Sequence, residues 1–422
     1  MAEKEAVLES GTTVEYDGTA GGWGSLKGIA QIFGKEWDTP AALETLMRQN
    51  KPKGLMCTSC SRAKPADHHT FEFCENGAKA TLWELTTRRC TPDFFAKHSV
   101  TELRDWSDYD LEQQGRLTHP MRYDAASDRY VPCQWDEAFR GIGQQLRSFD
   151  PNSFIFYSSG RASLETSYLY ALFVRLYGTN NLPDSSNMCH ETTGVALKES
   201  IDVGVGTEML TGKETVISNQ YHQVKIGGDI AVILGICKYI FAADDAATLK
   251  GKRVLDTAFI EQHTSGLDEF EGKVRETSWD EIEAASGLSR QVIEGAAQVY
   301  VEADRVIGIF GMGLTQHVHG FQNVTIFMNM MLLRGNIGRD GTGISPVRGH
   351  SNVQGQRTVG IADKPELVPL DKIAKQFGFE PPREKGMNTV ETCQGIIGGK
   401  VKAFIGLGGN FVCATPERRI ME

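Results

Sequence analysis

From about residue 130 onward, apolar runs of strand length alternate with stretches whose apolar positions recur every three or four residues. In "QWDEAFRGIGQQLRSF", Trp135, Ala138, Phe139, Ile142 and Leu146 fall near one helical face. "NSFIFYSSGR" follows as a strand that ends in a small-residue turn. The next stretch, "SLETSYLYALFVRLYG", predicts a helix with Ser163 as N-cap, Glu165 in the first turn and Gly178 just past the end. Later, "SWDE" at 278–281 reads as a capping box ahead of helical sequence. "DRVIGIFGMG" is a second strand running into a glycine turn. "HGFQNVTIFMNMMLLRG" places Phe321, Val324, Phe327, Met328, Met331 and Leu332 on one helix face, closed by Gly335. "VKAFIGLGGN" repeats the strand-to-glycine pattern near the C-terminus. This order of strand, glycine turn and helix predicts an α/β fold, with ligands at the carboxyl ends of the strands.

The remaining organisation is read from composition. Residues 1–50 form a polar, glycine-punctuated lead-in, and 51–130 a cysteine-rich segment. Residues 131–206 form an α/β unit and 207–395 a helical and α/β domain, with the start of a further α/β segment at 396–422. The net charge of −10 and pI near 5.6 argue against nucleic acid as the main partner. No apolar run approaches the roughly 18–20 residues of a membrane helix. The start "MAEKEAVLESGTT" has neither the basic nor the apolar region of a secretory signal, so a cytoplasmic protein is expected. In that compartment the nine cysteines read as metal ligands, reactive thiols or small buried hydrophobes.

Three stretches carry candidate chemistry. Cys57-x2-Cys60-x13-Cys74 lets two sulfurs meet one metal from a tight turn, with a third closing from a short loop. The spacing suits structural zinc with His68 or His69, an iron–sulfur cluster, or a redox pair, and does not separate them. Cys90 suits a fourth ligand or the core equally. In "SSNMCHETTG", Cys189 offers a soft thiolate for a transition metal and His190 a group that exchanges protons near neutral pH. "GNIGRDGTGISPVRGHSNVQG", residues 335–355, packs six glycines around Arg339, Arg348, His350, Asn352 and Gln354. Glycines admit close backbone approach to a bulky ligand, and arginine forks bind phosphate or carboxylate.

Taken in order, "CTSC…FEFCENGAKA", "SSGR", "GTNNLPDSSNMCHE", "GMGLTQHVHG" and "GNIGRDGTGISPVRGHSNVQG" resemble the formate-dehydrogenase-like alpha subunits of the molybdopterin oxidoreductases, from about residue 20 to the C-terminus. The resemblance implies a multi-domain architecture of open α/β sheets with a small N-terminal metal-cluster domain. It implies a molybdenum bis(pyranopterin guanine dinucleotide) cofactor, with Cys189 as the metal ligand, His190 as handler of the substrate proton and Arg348 as clamp for a small anion such as formate. The pterin dinucleotides would lie against Gly160, Arg161, Gly313, Gln316, Asn352, Gly408 and Asn410. Lys79 matches a lysine between pterin and cluster, and Cys57, Cys60 and Cys74 match ligands of a cluster of the 4Fe-4S type. The electron acceptor is unspecified.

The chain departs from that pattern in three places. Lys64 stands where relatives carry a cluster cysteine, so the fourth ligand is unassigned. "IDVGVG" runs directly into "TEMLTGKETVISNQYHQVKIGGD", where a strand–helix–strand unit would be expected. Beyond "GLGGN" the further α/β structure and β-barrel are missing. These departures lead to the expectation of a partial chain, and keep open a non-catalytic remnant or a metal-binding interaction protein.

Overall fold

The computed structural model describes residues 26–30, 39–59, 70, 72–202, 220, 222–248, 253–416 and 418–421. Its principal helices are α1 (Thr39–Arg48), α2 (Glu75–Glu84), α3 (Trp135–Ser148), α4 (Leu164–Tyr177), α5 (Glu191–Ile201), α6 (Asp229–Thr248), α7 (Trp279–Ser286), α8 (Arg290–Glu302), α9 (Gly320–Leu332), α10 (Val353–Thr358) and α11 (Thr389–Ile397). Its longer strands are β1 (Met121–Asp124), β2 (Arg129–Pro132), β3 (Phe154–Ser158), β4 (Ile307–Phe310), β5 (Gly343–Pro346) and β6 (Ala403–Leu407).

The elements expected from sequence form where their local chemistry places them. Ser163 Oγ accepts the amide of Thr166 at the start of α4, and Gly178 closes that helix in the left-handed region. Ser278 and Glu281 form a reciprocal capping box at α7. Within α9, Val324, Met328 and Met331 are fully buried. They meet Ala196 and Leu197 of α5 and Cys237, Ile240 and Phe241 of α6 in the largest apolar cluster. The stripe on α3 behaves differently. Leu146 is buried, but Trp135, Phe139 and Ile142 are 62, 63 and 49% exposed.

β1 and β2 form a local antiparallel hairpin, and the other longer strands pair in parallel over long range. Along β3 and β6, Phe154 lies opposite Ala403 and Ser158 opposite Leu407. The other edge of β3 is lined by the segment leading to Cys189: Phe156 N and Ser158 N donate to Asn181 O and Pro183 O. A second parallel pair sets Ile307 of β4 opposite Gly343 of β5. The glycine-rich stretch is therefore no solvated loop. Its centre is β5, buried at all four positions, where pairing with β4 supplies the ladder bonds that an isolated "GISP" lacks. Both parallel pairs end in turns, 159–162 with 408–410 and 311–316 with 347–352, and these turns face one another.

Candidate functional site

Cys189 and His190 end a polar turn that leads into α5. Asp184 carries the turn's start: it is buried, accepts the amide of Asn187, and pairs with Arg357 of α10. Arg357 also pairs with Glu191, the residue after His190. Burial pushes the Asp184 carboxyl up, against the pull of Arg357. This ion network fixes the height at which Cys189 sits.

The thiol of Cys189 lies 3.3 Å from Met312 Sδ. A Cβ on Gly349 would fall 3.1 Å from Met312 Sδ and 3.2 Å from Cys189 Sγ, so glycine leaves the approach to both sulfurs open. Burial raises the thiol pKa, opposed by the Gly349 N–H and the Arg348 charge. Arg348 is 3% exposed, and its Nε has no hydrogen-bond partner. Burial lowers its pKa to about 10, opposed by Cys189. A guanidinium buried with an orphaned N–H beside a soft thiolate donor is what an anionic or metal-centred ligand requires. The donor set fits molybdenum at this position.

His190 is 4% exposed. Its Nε2 lies 2.8 Å from Val347 O, which can only accept, so Nε2 carries the proton. Nδ1 lies 2.9 Å from Thr193 Oγ1 and accepts that hydroxyl. Burial, reinforced by Arg348, lowers its pKa to about 4. The ring is therefore neutral at pH 7, with both nitrogens engaged by the protein.

The turn after β4 docks on the same loop. Gln316 Nε2 donates to Met188 O at 2.6 Å, and Thr315 Oγ1 donates to Cys189 O at 2.9 Å. Gly313 lies on this turn with nothing near its Cα face. Gly160 and Asn352 meet directly: Asn352 N donates to Gly160 O at 2.8 Å, and Asn352 Nδ2 to Ala162 O at 2.9 Å. Three cavities surround the junction. Cys189 and Gln316 line a largely apolar one of about 750 Å³, whereas His190 and Arg348 line a less apolar one of about 860 Å³. Arg161, Gly408 and Asn410 line a third of about 740 Å³ with His350, Arg88 and Arg116. The turn-end glycines give that cavity backbone access, and its three arginines face Glu84 and Glu112, so it carries a modest excess of positive charge for a dinucleotide phosphate.

The cysteine site lies at the other end of α2. Cys74 is its N-cap and accepts the Gly77 amide at 3.3 Å, and Cys57 Sγ accepts the Ser59 amide at 3.4 Å. A Cβ on Gly77 would lie 3.0 Å from Cys57 Sγ and 3.5 Å from Cys74 Sγ, so both sulfurs border the space that glycine leaves. Buried polar atoms without partners gather here: both amide atoms of Gln49, Thr58 Oγ1, and Thr81 Oγ1 one helical turn past Gly77. Cys57 and Cys74 are the thiols of this site among the described residues, which hold no group of three or more His, Cys, Asp or Glu side chains that could bind a metal. Cys60, His68, His69 and Lys64 lie outside the described residues. Cys90 packs with Phe95 and Leu103 in an apolar cluster. Lys79, on α2, is paired with Glu75. At the far end of α2, Glu84 takes Arg161 at 2.9 Å and Arg116 at 2.7 Å. Burial raises the Glu84 pKa, but those two arginines outweigh it and lower the group overall. The helix of about 15 Å thus joins the cysteine site to the third cavity.

Sequence reasoning missed Met312, Arg357, Gln49, Arg88 and Arg116. Met312 was visible in "GMGLTQ" as the bulky residue between two glycines. The others carry no local signal.

The fold is similar to that of acetylene hydratase from Pelobacter acetylenicus, with a TM-score of 0.53 and 14% identity, covering 72% of this chain and 50% of that one. The multi-domain α/β architecture expected from sequence is borne out by this likeness. No family model matches the chain. Protein YdeP of Escherichia coli (strain K12) is 41% identical over 466 residues, covering 96% of this chain and 61% of YdeP. The uncharacterized oxidoreductase Rv2900c of Mycobacterium tuberculosis is 35% identical, covering 89% of this chain and 56% of that protein. The F420-dependent formate dehydrogenase 1 subunit alpha of Methanococcus maripaludis is 27% identical, covering 84% and 59%. The chain spans about three fifths of the length of the curated relatives it matches. The match to YdeP runs over 466 positions against a chain of 422, so at least 44 of them have no residue here. Among the described residues, no helix is long and apolar enough to cross a membrane.

Proposed function

We propose that this chain carries the active centre of a molybdenum oxidoreductase resembling formate dehydrogenase, acting on a small anion. The observation that carries the reading is the meeting of Cys189 Sγ with the open face of Gly349, next in the chain to the buried Arg348 whose Nε has no partner. Fold likeness does not decide the chemistry, since the similar structure is named a hydratase. Support for redox chemistry comes from relatives named oxidoreductases, one of them a formate dehydrogenase subunit.

In this reading Cys189 holds molybdenum, and Gly160, Arg161, Gly313, Gln316, Asn352, Gly408 and Asn410 border the pyranopterin guanine dinucleotides. When bound, the cofactor supplies two-electron redox chemistry. Arg348 binds and orients the anion, with a strength raised by its burial. His190 holds its Nε2 proton against Val347 O. Its Nδ1 accepts a substrate proton once the Thr193 hydroxyl turns away. An iron–sulfur cluster, were Cys57, Cys60 and Cys74 to hold it, would supply electron transfer at the N-terminal end of α2, the helix that carries Lys79.

The test is elemental analysis of the chain purified anaerobically from cells that make the cofactor, followed by formate-dependent reduction of an artificial acceptor. Molybdenum near one per chain, with iron, is expected. Cys189→Ser should lose the turnover, and retained turnover overturns the assignment. A second reading, a binding protein without turnover, is favoured by the positions that relatives have and this chain lacks. Any formate-dependent turnover eliminates it.

A further inference from the structure

Arg348 is 3% exposed, yet among the described residues it pairs with no carboxylate and its Nε has no hydrogen-bond partner. A guanidinium is stable in such a place when something supplies the missing negative charge. The cavity of about 860 Å³ that Arg348 lines does not supply it. Glu191 is held by Arg357 and Lys364, and Glu199, Asp202 and Glu366 are exposed to solvent. His190 has both ring nitrogens engaged, by Thr193 and Val347. The partner that remains is an anion bound against Arg348. The rest of the wall sets its size and charge. Formate would leave most of so large a space unfilled, since cavities of several hundred cubic ångströms suit larger organic molecules. Beyond Arg348, the cations Lys198, Arg357 and Lys364 stand against Glu191, Glu199, Asp202 and Glu366. A second negative charge on the ligand therefore gains nothing there. Uncharged hydrogen-bonding groups do better. Gln354 is exposed on the same wall, and Lys198 has no ion-pair partner among the described residues.

We propose that this cavity binds a hydroxylated monocarboxylate of several carbons, with its carboxylate on Arg348 and its hydroxyls on Gln354 and Lys198. The assignment rests on the anion-binding part of the proposed function and adds the size and charge of the anion, with no metal involved. A guanidinium takes a carboxylate through paired N–H donors, and burial strengthens those bonds. The Gln354 amide both donates and accepts, and the Lys198 ammonium donates, so both can meet hydroxyl groups. Each such bond tightens binding about two- to tenfold relative to formate, which has only the carboxylate contact. Gln354 lies in "RGHSNVQG", so one short stretch supplies both the clamp and a reader of the ligand's body.

The experiment measures dissociation constants by isothermal titration calorimetry on the full chain, with gluconate, formate and tartrate as probes. Gluconate is a hydroxylated monocarboxylate, formate lacks the body, and tartrate adds a second carboxylate. Gluconate should bind about tenfold tighter than either, from two added hydrogen bonds. Arg348→Met should abolish gluconate binding where the parent saturates, with its melting temperature kept or raised because an unpaired buried charge is gone. Gln354→Ala, at an exposed position, should weaken gluconate about two- to tenfold and leave formate unchanged. That variant keeps the test open should Arg348→Met fail to fold. Formate binding as tightly as gluconate, or tartrate at least as tightly, overturns the inference and leaves the anion clamp standing. An unchanged gluconate constant in Gln354→Ala overturns it too. A parent that binds none of the three, or an Arg348→Met protein that binds gluconate equally, overturns the anion clamp and this inference with it.

Discussion

Replacing Gly160 with alanine probes the packing of the two strand-end turns that border the candidate cofactor site. The added methyl would lie 2.6 Å from Val353 Cγ2, 3.0 Å from His350 Cβ and 3.1 Å from Val353 Cα. Non-bonded carbons rest at about 3.5–4.0 Å, so Val353 Cγ2 must move by roughly 1 Å and the turn and α10 must part by roughly half that. The Val353 Cα is main chain and has no rotamer with which to escape. The same movement stretches the bonds from Asn352 to Gly160 O and Ala162 O. Overpacking of this kind costs about 1–3 kcal/mol, and the two weakened bonds place this case at the upper end. Gly272 in the helix Leu267–Glu276 is the control, because an added Cβ there meets nothing within 4 Å. Gly272→Ala should stabilise by about 0.5–1 kcal/mol, since a helical glycine is costly. At about 2.1 cal/mol/K per residue, a chain of 422 residues that unfolds cooperatively shifts by about 1 °C per kcal/mol, so Gly160→Ala should melt about 2–3 °C below the parent and Gly272→Ala slightly above it. Thermal unfolding followed by circular dichroism reads both. A Gly160→Ala protein melting with the parent, while Gly272→Ala rises, refutes the packing argument.

Arg175 is 1% exposed and donates to Gly360 O at 2.7 Å and Ala362 O at 3.1 Å, so Arg175→Met strands two buried carbonyls. It should cost about 2–4 kcal/mol in urea denaturation, and a loss under about 0.5 kcal/mol would show that those contacts carry no weight. His190 sets a pH dependence. Its folded pKa of about 4 lies below the ordinary 6.5, so between those values the unfolded chain binds more protons and stability rises with pH. That stability is fully present above pH 6.5 and is lost as pH falls toward 4, by up to about 3 kcal/mol. Burial lowers the His350 pKa as well, so the comparison that isolates His190 is with His190→Gln, whose stability should fall less steeply over the same window. Parallel curves for the two proteins would contradict a buried neutral ring.

Local signals located the elements well. The Ser163 cap, the Ser278–Glu281 box and the Val324, Met328, Met331 face each depend on neighbours within a turn or two, and each forms as its sequence indicates. The α3 stripe carries the same periodicity, yet Trp135 and Phe139 stack on each other at the surface. Periodicity reports an apolar face, whereas burial needs an opposing element, and among the described residues none covers this one. β5 was unreadable for the opposite reason. Gly343 and Pro346 are poor strand formers, and only the long-range partner β4 makes them one.

The candidate site divides along the same line. Cys189, His190 and Arg348 stand out in the sequence because residue type limits what a thiol, imidazole or guanidinium can do. Their states were not. Whether His190 is charged depends on Val347 O, Thr193 and Arg348, and whether Arg348 is satisfied depends on what its Nε fails to meet. Gln49 was equally illegible, since the lack of a partner for its buried amide is a property that no sequence pattern encodes. A buried amide with nothing to bind is informative only once Cys57, Cys74 and the bare face of Gly77 are seen to border the same space. Motif spacing therefore identifies donors that act through their own chemistry, whereas the groups that tune them are found by asking which buried polar atoms the fold leaves unanswered.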